Sequence, residues 1–427
     1  MKKSILYSMV YILCTLIAAC QPKPTSENPV TEEETTTPKT IILAIDGGGI
    51  KGIIPAIFVE AIEDSLGNKQ SYQLFDVIGG TSTGGILTVG LTSPNQKVNN
   101  GKYPFTGKAL VDIYKNDGKK IFVAQCYGID KKCELEYAKY VAHGTGSDSD
   151  KGIQPFMMNL LGPTTKLTDT KKFITNLNGR VKQMFTTCYT VNSTGDVVKN
   201  PQQGKDFGPY LFNWFDAANT NNSGKDDYYV WEAGRGTSAA PTYFPIARAG
   251  GNANGHSPAA ERWVVDGGMM SNDPAVWGVT EALRTGIAKR LEDIVVISLG
   301  TGLYNGGAGV GINNNTGIGV PAFGNWGVNP WLVSSMYDLE GYDNNGGTMI
   351  NIILDAVQLV TDQQLNAMKT AGLTYLRLEP SIKESQSHMD NIKPANIQSL
   401  ENTAKAYIQT GEGKKIMQEI VTLLRNN

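Results

Sequence analysis

The stretch ILAIDGGGIKG, residues 42–52, decides the fold class. Its apolar beginning is typical of a buried parallel strand, and the apolar residues of 53–62 that follow recur at helical spacing. The glycines therefore lie where a strand turns into a helix. A turn needs one or two glycines, so three in a row, Gly47, Gly48 and Gly49, indicate a backbone that must approach another group closely.

Two more apolar runs have the same form. LFDVI, residues 74–78, precedes GGTSTGG and an apolar helical stretch at 86–91, and IVVISL, residues 294–299, precedes GTG. Strands that alternate with helices and end in glycine-rich turns predict an α/β fold with a central, mainly parallel sheet. Ligands of such sheets bind beyond the carboxyl ends of the strands, where we expect all three turns.

The rest of the chain is less regular. Residues 92–227 are rich in Asn, Gly, Lys and Asp and are predicted to form long loop insertions around the core. Near the end, five apolar residues at helical spacing predict a helix that docks on the core: Ile416, Met417, Ile420, Val421 and Leu424. The formal net charge of -2 does not point to nucleic-acid binding.

The N-terminal residues indicate export. Lys2 and Lys3 precede an apolar run too short to span a bilayer comfortably, so residues 1–19 have the form of a signal peptide. IAAC, residues 17–20, resembles a bacterial lipobox, which predicts that Cys20 is lipidated and holds the protein on a membrane surface. An ordinary secretory cleavage site with an incidental Cys is the alternative.

The residues after the cysteine refine this expectation. Gln21 is not an inner-membrane retention signal of the Asp type, which favours the outer membrane of the cell envelope. The linker that begins at the lipidated cysteine, residues 20–40, is rich in Pro, Thr and Glu and is predicted to be disordered. The folded domain is then 41–427, with a helical portion at its C-terminal end.

The turn GTSTG, residues 80–84, fits the pattern G-x-S-x-G. Such a turn between a strand and a helix lifts the hydroxyl of Ser82 above the sheet, and the flanking Gly80 and Gly84 remove side chains that would clash there. The helix that follows directs the positive end of its dipole at the hydroxyl. Ser82 is therefore the candidate nucleophile.

A serine hydroxyl needs a base to act as a nucleophile. The three histidines, His143, His256 and His388, all lie in polar stretches and are expected to be solvated loop residues. In WVVDGG, residues 263–268, Asp266 ends a short predicted strand and can accept the serine proton directly if it lies within reach. A plain Asp-Gly turn, or a triad in the order Ser82, Asp266, His388, is the alternative.

The opening glycines have a matching role. Attack on an ester puts negative charge on the carbonyl oxygen, and the backbone amides of Gly47, Gly48 and Gly49 can form an oxyanion hole for it. The same residues also fit the dinucleotide-binding pattern G-x-G-x-x-G. That pattern expects an acidic residue about 20 positions on, and Glu63 and Asp64 come too early for it.

Taken together, these motifs resemble the patatin-like phospholipase family, whose marks are D-G-G-G-x-[RK]-G, G-x-S-x-G and a later D-G-[GA]. Here they stand as DGGGIKG at 46–52, GTSTG at 80–84 and DGG at 266–268. GRGTSAAPTYFP, residues 234–245, is similar to the segment before the family's catalytic Asp. Lys51 matches a basic position of the family and either helps to hold a lipid phosphate or is a surface lysine.

The resemblance implies a three-layer α/β sandwich with a Ser82–Asp266 dyad and with neither a metal nor a cofactor. We therefore expect a serine lipid acyl hydrolase, of phospholipase A or lysophospholipase type, that acts on phospholipid or another acyl lipid. Two alternatives stay open at this point. One is an acyltransferase that uses the same dyad, and the other is a non-catalytic surface lipoprotein that binds lipid.

Overall fold

Strand β1, Thr40–Ile45, is buried along its whole length and has a parallel strand on each side. We describe it in a computed structural model of the protein, which covers residues 38–97, 99–122, 152–193, 207–241, 243–251, 259–304 and 349–427. Alternate side chains of β1 face opposite sides of the sheet. Leu43 packs in one hydrophobic core and Ile42 in a second. Helices cover both faces, which makes three layers.

The remaining elements of the described residues follow in chain order. The strands are β2 Val77–Thr81, β3 Gln183–Ser193, β4 Gly208–Asn213, β5 Ala247–Ala249, β6 Arg262–Asp266, β7 Ile294–Leu299, β8 Leu303–Tyr304, β9 Thr374–Leu378 and β10 Ser381–Ile382. The helices are α1 Ile53–Ser65, α2 Ser71–Leu74, α3 Thr83–Thr92, α4 Gly107–Ile121, α5 Ile153–Leu161, α6 Leu167–Asn176, α7 Trp214–Ala217, α8 Val230–Thr237, α9 Ala275–Arg284, α10 Met349–Met368, α11 Pro394–Gln409 and α12 Gly411–Asn426.

The main sheet has the order β5-β6-β3-β2-β1-β7-β9, and β4 pairs with β3 outside this path. The pairs that join β3, β2, β1, β7 and β9 are all parallel, whereas β4, β5 and β6 pair antiparallel. The prediction of an α/β fold with a central, mainly parallel sheet is confirmed.

Strand β3 carries both β2 and β6 along one of its edges. Its first residues pair with β2, ending with Thr187 opposite Thr81, and its last residues pair with β6, starting with Cys188 opposite Asp266. Strand β4 pairs with Phe185–Thr190 of β3 and so occupies the other edge beside both neighbours. The carboxyl ends of β2 and β6 therefore meet end to end, about one residue rise, ~3.3 Å, apart along β3.

One predicted strand has the same bounds as an observed strand, and another lies about three residues too early in the sequence. The run at 294–299 is β7 with the same bounds, but the predicted strand at 74–78 is wrong in its position. Leu74 ends helix α2, and β2 begins at Val77 and includes Gly79 and Gly80. A glycine is needed in this strand because a Cβ at Gly79 would lie 2.1 Å from the ring of Phe185.

The segment 92–227, predicted to be loop insertions, contributes β3, β4 and several helices, so that prediction is wrong for this part of the sheet. Strand β3 reads QMFTTCYTVNS, and its β-branched and aromatic residues are typical of strands. The C-terminal stripe is confirmed as a docking face, since Met417, Ile420, Val421 and Leu424 of α12 are buried in the core. Within the described ranges, no helix has the length and apolar character needed to cross a membrane.

A buried ion-pair network joins the edge strand β9 to the residues that follow the central strands. Arg377 of β9 is 12% exposed and donates to Asp46, directly after β1, at 2.6 Å and to Asp273 at 3.0 Å. It also pairs with Glu379. Burial raises the pKa of Asp46, and Arg377 opposes that rise. One guanidinium thus compensates three carboxylates at the carboxyl ends of the central strands.

Replacing Arg377 with Met is expected to lower the free energy of unfolding by about 3–5 kcal/mol, because it leaves buried carboxylates without their partner. The measurement is urea denaturation followed by circular dichroism. Arg290→Met is the matched control, since this exposed residue pairs with Asp293 and Glu292 in solvent and its loss should hardly move the midpoint. Equal effects of the two substitutions would contradict the structural importance of the network.

Candidate active site

Ser82 lies in a sharp turn between β2 and α3. Its φ is 53° and its ψ is -122°, a conformation that a non-glycine residue rarely adopts. The flanking glycines permit this turn. A Cβ at Gly80 would lie 2.1 Å from the carbonyl oxygen of Gly84, and one at Gly84 would lie 2.1 Å from that of Ile45. The turn therefore has the strained form that presents a serine hydroxyl above a sheet.

Asp266 ends strand β6 and is buried beside this turn. Its Oδ1 accepts a hydrogen bond from the amide of Gly268 at 2.7 Å. Its Oδ2 is buried without a hydrogen bond of normal geometry to any described residue. Burial raises the pKa of Asp266 to about 7, and the Ser82 hydroxyl, the Gly268 amide and the Arg235 guanidinium oppose that rise. The serine hydroxyl is thus close to the carboxyl, although no hydrogen bond of normal geometry joins it to Oδ2.

The last residue of α8 and the segment that follows it hold the backbones of Ser82 and Asp266. The hydroxyl oxygen of Thr237 accepts a hydrogen bond from the Ser82 amide at 2.9 Å, and the carbonyl of Ala239 accepts one from the Asp266 amide at 3.0 Å. Two positions only two residues apart in sequence, Thr237 and Ala239, therefore hold the backbones of the candidate nucleophile and of the candidate base. Both lie in GRGTSAAPTYFP, which the sequence singles out as a motif without indicating these contacts.

Arg235 places a buried cation near the carboxylate. It is 2% exposed, and its Nη2 donates to the carbonyl of Pro245 at 2.6 Å. Its Nε and Nη1 have no hydrogen-bond partner among the described residues. Burial lowers the pKa of Arg235 to about 10, and Asp266 opposes this change. The sequence offers one signal for this residue, an arginine among small and apolar neighbours.

Two amides of the glycine loop after β1 have no acceptor within the part of the chain that the structure describes. The amide of Gly47 donates to the carbonyl of Asn272 at 3.1 Å, so it is not available to a substrate in this structure. The amides of Gly48 and Gly49 have no acceptor among the described residues. Gly47 still has to be glycine, because a Cβ there would lie 2.5 Å from the Oδ1 of Asn272 and 3.1 Å from the Cβ of Ser82. Gly48 and Gly49 are the members of the predicted oxyanion hole that remain open.

A largely apolar cavity of about 430 Å³, its opening included, leads away from Ser82 and Gly49. Ile86, Phe122, Phe244 and Met389 are among the side chains that line it, and the rings of Phe122 and Phe244 pack with centroids 5.6 Å apart. Such a lining suits a hydrocarbon chain beside the reacting group.

The other predicted residues lie apart from this pair or outside the described residues. His388 is exposed, and no hydrogen bond to Ser82 or Asp266 is found for it in the described part of the chain. Cys20, His143 and His256 lie outside the described residues. Lys51 lies near Glu379, a carboxyl whose pKa is raised by burial and lowered by Arg377 and, to a smaller extent, by Lys51.

No group of three or more His, Cys, Asp or Glu side chains within the described ranges is placed to hold a metal ion. The site consists instead of a serine on a strained turn, a buried carboxylate and free main-chain amides. On an α/β sheet, this arrangement is typical of hydrolases with a serine nucleophile.

Comparison with known proteins gives the family. The family model of patatin-like phospholipase matches residues 43–276, a range that contains the glycine loop, the serine turn and Asp266. The chain belongs to the patatin-like phospholipase family. Its patatin-like domain supports lipid acyl hydrolase activity.

Several plant proteins are similar over most of the chain. Patatin-like protein 4 of Arabidopsis thaliana is 26% identical over 397 residues, which cover 86% of this chain and 83% of the relative. "Probable inactive patatin-3-Kuras 1" of Solanum tuberosum is 27% identical and covers 83% of both chains. Patatin-17 of Solanum cardiophyllum is 29% identical over 61% of this chain and 60% of its own. Among solved structures, VipD from Legionella pneumophila aligns over 62% of this chain and 50% of its own with 12% identity and a TM-score of 0.28.

Proposed function

We propose that the protein is a serine lipid acyl hydrolase that cleaves fatty acyl esters through a Ser82–Asp266 dyad and an acyl-enzyme. The observation that carries the proposal is the buried carboxyl of Asp266, which has the Ser82 hydroxyl as a neighbour and whose Oδ2 has no hydrogen-bond partner among the described residues. Ser82 in turn lines an apolar cavity. Family membership alone does not decide the question, since one relative is named as inactive. The geometry of Ser82 and Asp266 is therefore the stronger support for activity in this chain.

The first half of the reaction forms the acyl-enzyme. Asp266 Oδ2 takes the hydroxyl proton of Ser82 while the Oγ of Ser82 bonds to the ester carbonyl carbon. The carbonyl oxygen thereby becomes an oxyanion. The amides of Gly48 and Gly49 stabilise that charge, which is the kind of interaction that contributes most to such reactions. The carbonyl then re-forms, the bond to the alcohol breaks, and Asp266 returns its proton to the leaving alcohol or lysolipid.

The second half releases the fatty acid. Asp266 takes a proton from a water molecule, which attacks the acyl carbon, and the bond to Ser82 breaks with return of the proton to its Oγ. A carboxyl with an ordinary pKa of 3.8 is a weak base for these steps. Burial raises the pKa of Asp266 to about 7, close to that of a histidine. The dyad can thus operate without an imidazole.

The apolar lining of the cavity supports a lipid substrate. An acyl chain that binds in the cavity is transferred from water to apolar surroundings, which is favourable, and its carbonyl then lies beside Ser82. We propose phospholipid, or another acyl lipid, as the substrate class. No specific feature favours the two alternatives, acyl transfer to an alcohol acceptor and lipid binding without turnover.

Ser82→Ala is expected to abolish hydrolysis of a p-nitrophenyl ester and labelling by a fluorophosphonate probe, because the nucleophile is lost. Asp266→Asn should lower kcat by roughly 10²–10⁴, the range for loss of a general base. His388→Ala is the control and should keep nearly normal activity, as should His256→Ala. Unchanged turnover in Ser82→Ala would contradict the dyad, and a large loss in His388→Ala would favour a histidine triad.

The pH dependence follows from the pKa of the base. Asp266 must be ionised to accept a proton, so kcat/KM should fall about tenfold per pH unit below about pH 7 and level off above it. The measurement is hydrolysis of an uncharged ester across the pH range, with recovery of activity at neutral pH as the control for unfolding. Full activity down to about pH 5 would show that another group accepts the proton.

We also propose that Cys20 is lipidated and anchors the enzyme to the bacterial cell envelope, at the outer membrane. The support is the lipobox-like IAAC at 17–20 together with Gln21 in the next position. A membrane anchor would hold the enzyme near an acyl lipid substrate.

The wild-type chain expressed in a bacterial host is expected to incorporate a labelled fatty acid and to sediment with membranes, whereas Cys20→Ser should do neither. Cys14→Ser, in the same apolar run, is the matched control and should behave like the wild type. Labelling that persists in Cys20→Ser would contradict the anchor.

A further inference from the structure

The third glycine-rich turn, GTG at 300–302, has no part in the dyad, yet it touches the glycine loop. Thr301 is 4% exposed, and its hydroxyl donates to the carbonyl of Gly47 at 2.7 Å. The turn itself is held on both sides of Thr301. The amide of Gly300 donates to the carbonyl of Leu378 at 2.9 Å, and that of Gly302 donates to Glu379 at 2.6 Å. The hydroxyl therefore projects from a rigid support.

This hydrogen bond orients a peptide group of the glycine loop. In a trans peptide the carbonyl and the amide point in opposite directions across one plane. Thr301 holds the carbonyl of Gly47, and so the amide of Gly48, in the same peptide, points away from Thr301. That amide has no acceptor among the described residues. It is one of the two amides of the glycine loop without an acceptor among the described residues.

Close packing leaves the threonine little freedom. A Cβ at Gly48 would lie 2.3 Å from the Oγ1 of Thr301, 2.7 Å from its Cβ and 3.0 Å from its Cγ2. Thr301 fills the space that a side chain at position 48 would need, so this position requires glycine. On another side of the loop, the position of a Cβ at Gly47 lies 3.1 Å from the Cβ of Ser82. Thr301 and Ser82 contact the loop at different points.

The second open amide is oriented in the same way by the main chain. The carbonyl of Gly48 accepts a hydrogen bond from the amide of Lys51 at 3.2 Å, which sets the direction of the Gly49 amide. Of the two peptide groups, the first is thus fixed by a side chain and can be tested by substitution.

We propose that Thr301 is a positioning residue of the oxyanion hole, which holds the Gly48 amide toward the oxygen that becomes negative when Ser82 attacks. This inference rests on the proposed function. Thr301 touches neither substrate nor proton. It acts before the reaction, because a donor that is already oriented needs no rearrangement as the charge develops.

The test compares Thr301→Val, which removes the hydroxyl, with Thr301→Ser, which keeps it. Loss of an oxyanion-hole donor costs about 10²–10³ in kcat, and we expect Thr301→Val, which keeps the amide but frees its direction, to lose about 10- to 100-fold. KM for a p-nitrophenyl ester should stay within about threefold, because the donor acts on the transition state. The rate of fluorophosphonate labelling should fall with kcat, and Thr301→Ser should restore both.

A matched control separates this role from stability. Thr92 is buried, and its hydroxyl donates to the carbonyl of Thr88 at 2.8 Å near the far end of α3. Thr92→Val removes a similar hydrogen bond and should leave kcat unchanged. Thermal unfolding of each variant shows the folded fraction at the assay temperature, and Thr301→Ala is a second hydroxyl-free variant if the valine does not fold.

The inference is overturned if hydroxyl-free variants keep the wild-type kcat, if Thr301→Ser loses as much as Thr301→Val, or if the loss equals the unfolded fraction. These outcomes leave the dyad intact, since Ser82→Ala would still be inactive. Retained activity in Ser82→Ala would instead remove the proposed function and this inference with it.

Discussion

The site depends on the pairing of two strands with the same edge of β3. Thr81 lies opposite Thr187 and Asp266 opposite Cys188, so the candidate nucleophile and base emerge from positions that backbone hydrogen bonds have already fixed. Groups carried by strands are held more precisely than groups carried by loops. Strand β6 runs antiparallel to its neighbours and still delivers its carboxyl end to the edge where the parallel strands end. It can do so because β3 extends beyond the end of β2.

Burial shifts the pKa values of the two charged groups of the site in opposite directions. It raises the pKa of Asp266 and lowers that of Arg235, so it disfavours the charged form of each, while each charge favours the other. Burial of a charge without a partner would carry a large penalty in free energy. The Ser82 hydroxyl, the Gly268 amide and, to a smaller extent, the Arg235 guanidinium therefore hold the pKa of Asp266 below the value that burial alone would give.

Local pattern predicted much of this structure. The apolar runs before the glycine loop and at 294–299 are parallel strands, and the motifs identified Ser82 and Asp266, which the fold brings together. Strand β3 was missed because its partners are remote in sequence, and its neighbours along the chain are polar. Thr237 and Arg235 act through contacts that only the tertiary structure creates. The amide of Gly47 donates to the main-chain carbonyl of Asn272, and no pattern of side chains in the sequence can reveal a contact between two main-chain groups.

Because β2 and β6 pair with the same edge of β3, the geometry of the site does not depend on the length of the segment between them. The relative position of hydroxyl and carboxylate is set by two neighbouring residues of one strand, and not by how much polypeptide connects β2 to β6. The surface loops of that connection can therefore lengthen or shorten without moving the two groups relative to each other. Such changes can thus alter which molecules fit beside the site while the relative position of hydroxyl and carboxylate stays the same.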